Sequence, residues 1–174
     1  MSSSSSSPSP AGAARPTRPT RGDFGAWRTA TTRWADDDVY GHMNNAAYFE
    51  LIDTAVNAHL AEATGTDIRE LPAVGLVAEV TCRYFAEMGY PRPVEIGLAV
   101  ERLGRSSVTY RIGLFQGGDG RPEQPANAEG RFVHVYVDNG VDPRTGPRPT
   151  VPLPDAVRRA VEGLPLLAAD DQAG

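Results

Sequence analysis

Cysteine is nearly absent from this chain: Cys82 stands alone in 174 residues. It cannot close an internal disulfide and offers no zinc-ligand spacing, so a reducing cytoplasm is the expected setting. Long apolar runs are missing too. The longest, Val74 to Ala78 and Leu164 to Ala169, are short and interrupted, far from the roughly 20 residues that a membrane helix needs. Lysine is wholly absent, and all 17 basic residues are arginine; a codon-composition bias explains this more simply than a demand for phosphate-binding forks. Positive charge is not in excess either. The formal net charge is −5, which argues against non-specific binding to nucleic acid. No Gly-x-Ser-x-Gly elbow is present, and Cys82 has no evident partner in its strand-like segment, which argues against serine and cysteine hydrolase chemistry. No internal repeat is visible.

What is present fits one globular domain. The chain is 40 % hydrophobic and 22 % charged, and long enough to bury a real interior. Met1 to Gly22 holds six consecutive serines, then Pro, Ala, Gly, Thr and three Arg, with no acidic residue. With almost nothing to bury, a disordered tail is expected over 1–24. This segment lacks the apolar centre of a secretory signal, and its Ser and Arg are segregated rather than interleaved as in a transit peptide. A folded domain is expected over 25–163, with a flexible C-terminal tail over 164–174.

The domain opens with a strand-like stretch from Trp27 to Trp34, rich in aromatic and β-branched residues. From Asn44 or Asn45 to about Ala63, the positions Tyr48, Ile52, Ala55, Val56, His59 and Leu60 recur at helical spacing. Asn at the N-cap and Gly65 past the end frame a single helix of roughly 30 Å. Four strand-like segments follow, about Gly75–Glu87, Pro93–Arg102, Ser106–Gln116 and Ala126–Asp138. Val94, Ile96, Leu98 and Val100 alternate with Glu95, Gly97, Ala99 and Glu101, and Val108 to Phe115 alternate likewise. This pattern describes an antiparallel sheet with one buried face. Gly117 to Gln124 reads as a loop, Val141 to Pro154 as a Pro-rich crossing segment, and Asp155–Gly163 as a short helix with Asp155 early and Arg158 and Arg159 late. A lone long helix must bury its stripe against the sheet. The simplest result is an α+β domain whose curved antiparallel sheet wraps around one central helix.

Between the first strand and the helix lies Arg33-Trp34-Ala35-Asp36-Asp37-Asp38-Val39-Tyr40-Gly41-His42-Met43-Asn44-Asn45, leading into Ala46-Ala47-Tyr48. Asp36 to Asp38 precede a helix start whose free N–H groups and dipole favour nearby negative charge. Taken alone, the triplet is equally a solvated acidic turn. The full pattern Arg-Trp-x-Asp-x-Asp-x-x-Gly-His-x-Asn-Asn-x-x-Tyr, however, resembles the hotdog-fold acyl-CoA thioesterases of the 4-hydroxybenzoyl-CoA thioesterase type. The element order is similar, as are the turn in Val100 to Val108, the segment Phe132 to Asp138, and Pro152-Leu153-Pro154. The resemblance covers about Gly25 to Gly163.

The resemblance implies that Asp38, the second acid of the Asp-x-Asp pair, acts on the thioester, by direct attack on the carbonyl or by activating water. It assigns the backbone N–H near Asn45 to the carbonyl oxygen, and a free, dipole-aligned N–H suits a developing oxyanion. Asp36 is expected to orient the loop, while Asp37 occupies a position the pattern leaves free. Gly41 suits a tight turn or close approach to the acyl group. His42 has two readings, a bond to Asp38 or substrate and loop structuring through a backbone carbonyl. The side chains of Asn44 and Asn45 are expected to cap the helix, and Tyr48 and Phe49 to pack in the core. Arg105, Ser106 and Ser107, with Arg102 near, fall where the family contacts the nucleotide part of CoA, although a polar turn with exposed arginines explains them as well. Arg144 and Arg148 are weaker candidates. His134, His59 and Cys82 read as packed residues. A metal at Asp36, Asp38 and His42 lacks a fourth ligand, and the resemblance implies no cofactor, CoA being part of the substrate. It further implies a homodimer or homotetramer with the site between subunits. Two other readings stay open: a hotdog protein that binds acyl-CoA without turnover, and a hotdog dehydratase or hydratase.

Overall fold

The computed structural model describes residues 17–167. Its elements run β1 (Ala26–Ala30), α1 (Asn45–Thr64), β2 (Ala73–Tyr84), β3 (Val94–Leu103), β4 (Ser107–Phe115), β5 (Ala128–Asp138) and α2 (Asp155–Glu162), with 3-10 turns at Arg21–Asp23, Trp34–Asp36 and Ile68–Glu70. The strands form one antiparallel sheet in the order β1-β3-β4-β5-β2. No helix among the described residues is long and apolar enough to cross a membrane.

Capping explains the limits of α1. Asn44 Oδ1 accepts the Ala46 N–H at 2.9 Å, and Gly65 closes the helix in the left-handed region at φ 66°. Its stripe of Tyr48, Ile52, Ala55, Val56 and Leu60 is buried against the inward residues of β3, β4 and β5 in one core that α2 completes with Val157 and Val161. The helix sits so close to β5 that a Cβ at Gly130 would stand 2.5 Å from Ile52 Cδ1. This is the expected hotdog arrangement, a sheet wrapped on a central helix.

Four expectations need correction. The sheet does not bury only one face, because Phe24, Ala99, Phe115 and Ala126 form a second buried cluster on the side away from α1. Gly97 and Gly113, paired across β3 and β4, make room for it: a Cβ at either would come within 2.7 Å of the Phe24 side chain. Phe24 packs edge-on to Trp27 and Phe115. The described part of the expected N-terminal tail is therefore packed, not loose. Arg18 Nε donates to the Ala126 carbonyl at 2.6 Å, Arg21 pairs with Glu95 at 2.8 Å, and residues 1–16 lie outside the described residues. At the other end, Leu164 is buried and the Leu167 N–H donates to the Val100 carbonyl at 2.8 Å; that part of the expected tail lies along β3, whereas 168–174 lies outside the described residues. Finally, the first strand stops at Ala30 rather than Trp34. The Asp36 carboxylate accepts the Arg33 N–H at 2.7 Å and bends the chain into a 3-10 turn.

On the outer face of the sheet, Glu129 is buried and is held by the guanidinium groups of Arg111 and Arg83. β1 and β2 are the edges of the sheet. β2 leaves Leu76 and Val77 each 48 % exposed, an apolar edge of the kind that natural sheets cover or pair.

Candidate active site

The loop from Arg33 to Asn45 is built by its three aspartates, each doing something different. Asp36 is buried. It accepts the Arg33 N–H at 2.7 Å and Arg33 Nε at 2.9 Å, and its carbonyl takes the Asn44 N–H at 2.7 Å. The Arg33 guanidinium bonded to it holds its carboxyl below the usual carboxylate range, against the opposing effect of burial. Arg33 also reaches Glu50 on α1 at 3.2 Å. Asp36 thus fixes both the loop and the N-cap residue of the helix. Asp37 turns the other way, and its carboxylate accepts the Tyr90 N–H at 3.1 Å. That tie fastens the loop to the segment before β3, and the bare Gly89 lets the carboxylate come close.

Asp38 occupies the tip. Its N–H donates to the His42 carbonyl at 2.8 Å and its carbonyl accepts the Gly41 N–H at 3.1 Å. Its Oδ1 accepts the Tyr40 N–H at 2.8 Å and the His42 N–H at 3.3 Å. Among the described residues Oδ2 has no hydrogen bond. The turn requires φ 82° at Gly41, where nothing lies within 4 Å of a would-be Cβ; conformation, not space, calls for glycine there. His42 meets Asp38 through its main chain only, while its Nε2 faces Glu87 Oε1 at 3.3 Å. Asp36, Asp38 and His42 do not converge on one point. Met43, buried, fastens the loop by donating its N–H to the Met88 carbonyl at 2.8 Å.

At the helix start, Asn44 takes the Ala46 N–H with its side chain and the Ala47 N–H with its carbonyl, both at 2.9 Å. No acceptor for the Asn45 N–H is present among the described residues, so that donor remains at the positive end of the α1 dipole. A carboxylate oxygen and an N–H, both without partners among the described residues, thus belong to the one segment that enters α1. A base or nucleophile and a donor to a polarised carbonyl are the two groups that acyl transfer needs.

A model of the thioesterase-like superfamily matches residues 32–161. The chain belongs to that superfamily. The match takes in the Asp36–Asp38 loop, α1, strands β2 to β5 and most of α2, and leaves Phe24, β1 and the β3-bound segment 164–167 outside. Among solved structures, the PA5185 protein from Pseudomonas aeruginosa strain PAO1 is 40 % identical, with a TM-score of 0.76, covering 88 % of this chain and all 100 % of that one. A thioesterase from Thermus thermophilus, solved with coenzyme A and Zn, is 23 % identical with a TM-score of 0.62, covering 80 % of this chain and 93 % of its own. A 1,4-dihydroxy-2-naphthoyl-CoA thioesterase from Synechocystis is 13 % identical with a TM-score of 0.64, covering 79 % and 94 %. At such identities the likeness is one of hotdog fold. No curated protein matches the chain.

Not every expected site residue of this superfamily member falls together. Asp38, Gly41, His42, Asn44 and Asn45 share one end of the molecule. Arg105, Ser106 and Ser107 lie in the β3–β4 turn at the other end, a full β3 length away, which is about 30 Å. The Tyr136 and Leu153 N–H groups donate to the Ser106 and Arg105 carbonyls at 2.8 and 3.0 Å, and Arg158 to the Gly104 carbonyl at 2.9 Å. Arg102 and Arg105 are exposed and carry no ion pair among the described residues, whereas Arg144 is tied to Asp142 at 2.8 Å. Sequence reasoning missed the Asp37 tie and the Glu87 partner of His42, both contacts between distant segments. It also passed over Val39 and Tyr40, 94 % and 81 % exposed beside Asp38; apolar residues inside an acidic loop were the signal.

Proposed function

We propose that the protein hydrolyses the thioester of an acyl-CoA to the free acid and CoA. The observation that carries this reading is that Asp38 Oδ2 and the Asn45 N–H at the start of α1, both in the segment that leads into the helix, have no hydrogen-bond partner among the described residues. In this reading the thioester carbonyl oxygen accepts the Asn45 N–H, and the helix dipole stabilises the charge that develops there. Asp38 takes a proton from the attacking water, or itself attacks the carbonyl carbon to give a mixed anhydride that water then opens. Along either route the C–S bond breaks, its electron pair leaves on sulfur, and the CoA thiolate takes up a proton. Gly41 and Asn44 hold the loop and the helix start around the acyl carbonyl, with His42 at the substrate's side.

The active unit in this reading is a homodimer, or a homotetramer built from it. Pairing the β2 edges of two copies antiparallel reverses their ends, so the helix start of one copy and the β3–β4 turn of the other lie at the same end of the pair, across the seam. Arg102 and Arg105, with Ser106 and Ser107, then meet the phosphates of CoA, and the exposed Leu76 and Val77 become covered. This apposition supports a site that neither copy completes alone. The test is thiol release from short, medium, long and aromatic acyl-CoAs. Turnover of at least one ester, lost in Asp38→Asn, is expected; binding of acyl-CoA with no thiol release by the wild type contradicts the reading.

A further inference from the structure

A cavity of about 710 Å³ opens between the later half of α1 and the β2–β5 edge of the sheet, lined by Asp53 and Asn57 of α1, Gly75 of β2, and His134 and Tyr136 of β5. From Asn45 to Asn57 the helix rises about 18 Å, so the cavity is remote from the Asp38 loop of its own chain. It lies at the end that the antiparallel dimer brings toward the partner's helix start.

His134 sits on the inner wall. It is 2 % exposed, yet its Nδ1 has no hydrogen-bond partner. The rings of Phe132, Tyr110 and Tyr136 contact it edge-on, with centroids 4.8 to 6.2 Å away, and none of them gives Nδ1 a hydrogen bond. Gly75 lets the ring keep this place on the wall: a Cβ there would stand 2.9 Å from Nδ1 and 3.3 Å from the Tyr136 ring, too close for either to stay where it is. Burial lowers the imidazole pKa to about 4, so near neutral pH the ring is uncharged, with one donor and one acceptor. A buried polar atom without a partner is costly, and a ligand that supplies one recovers that cost. The charges on the wall do not favour an anion. Asp53 and Asp67 line the cavity, and its arginine, Arg69, is engaged by Asp67 at 2.6 Å.

We infer that this cavity receives the far end of the acyl group, and that His134 selects an uncharged hydroxyl or keto oxygen there over bare hydrocarbon and over a terminal carboxylate. The inference rests on the thioesterase reading and names the substrate class of that site. It is tested with three CoA esters of one chain length: hexanoyl-CoA, its terminal-hydroxy counterpart and its terminal-carboxy counterpart. The wild type is expected to favour the hydroxy ester over hexanoyl-CoA by about tenfold in kcat/KM, the worth of one well-made hydrogen bond, and to turn over the carboxy ester least. In His134→Phe that ratio falls toward one. Gly75→Ala, which presses on the ring without removing a polar atom, is expected to lower it as well. An unchanged ratio in both variants, each folded by circular dichroism, overturns the inference. Calorimetric binding of the same esters separates this failure from that of the hydrolase reading. Tighter, His134-dependent binding of the hydroxy ester with no thiol release leaves the subsite standing and removes the hydrolase. Thiol release at equal efficiency from all three esters does the reverse.

Discussion

Replacing Gly130 by alanine drives a methyl group into the contact that seats α1 on the sheet. The new Cβ would stand 2.5 Å from Ile52 Cδ1 and 3.1 Å from its Cγ1, and Ile52 is fully buried, so the side chain has no solvent to turn into. Overpacking of this kind costs about 1–3 kcal/mol. Alanine in a strand recovers about 0.5–1 kcal/mol relative to glycine, which leaves a net loss of about 1–2 kcal/mol. Ile52→Val removes Cδ1, the atom in conflict, and costs about 1 kcal/mol alone through the space it vacates. The two changes therefore compensate: the double variant should be more stable than the sum of the singles by about 1 kcal/mol, as contacting residues are in a double-mutant cycle. Activity follows the same logic. Asn45 lies about two turns N-terminal to Ile52 on the same helix, so a lifted α1 moves the N–H proposed to hold the carbonyl oxygen away from Asp38, and a shift of a few tenths of an ångström should lower kcat about tenfold. Urea unfolding of the wild type, both singles and the double variant gives the stabilities, and thiol release gives kcat. Additivity within about 0.5 kcal/mol, with kcat not restored in the double variant, refutes the claim that this contact sets the height of the helix.

Other outcomes follow from single residues. His134 has a folded-state pKa of about 4 against 6.5 when unperturbed, so the unfolded chain binds more protons between those values. Its contribution is present in full above pH 6.5 and lost as pH falls toward 4, a total of roughly 3 kcal/mol. The stability of His134→Phe should be flatter across that window, and identical slopes for the two proteins contradict the assignment. At Gly41, where φ is 82°, alanine should cost about 1–2 kcal/mol and lower kcat by disturbing the turn that holds Asp38; a wild-type urea midpoint and kcat argue against that turn. Arg102→Ala/Arg105→Ala should raise KM for an acyl-CoA about tenfold, more than it lowers kcat, and should weaken the dependence of KM on salt. An unchanged KM removes these arginines from the proposed CoA site.

The parts of the fold that rest on local rules were legible in the sequence. The span of α1, observed as Asn45–Thr64, follows from a cap at Asn44, a stop at Gly65 and a stripe of period near four. The alternation in β3 and β4 separates inward from outward residues because the strand period is two. What could not be read depends on contacts between segments distant in the chain. Phe24 reads as the end of a polar tail until it is set against Gly97 and Gly113, glycines on two strands that are neighbours only once the sheet forms. Leu164–Leu167 reads as a tail for the same reason, its partner at Val100 lying far back in the chain. Within the loop, the bonding of Asp36 to Arg33 is local, and its loop-orienting role was anticipated. The tie from Asp37 to Tyr90 crosses to the segment before β3, and no spacing announces it. Gly75 and His134 share a cavity only through the register of β2 on β5, which alternation does not fix.

The central claim is that Asp38 performs chemistry on a bound thioester rather than supporting the loop. Asp38→Asn keeps an oxygen that can accept the Tyr40 and His42 N–H groups, so the turn is preserved while the carboxylate is lost. Equilibrium binding of the best acyl-CoA and single-turnover thiol release, measured on this variant and the wild type at one pH, separate the two roles. The account predicts similar affinity and a rate reduced by about a thousandfold or more, the scale of a lost catalytic base or nucleophile. A variant that releases thiol within tenfold of the wild-type rate, while binding the ester as well, contradicts it.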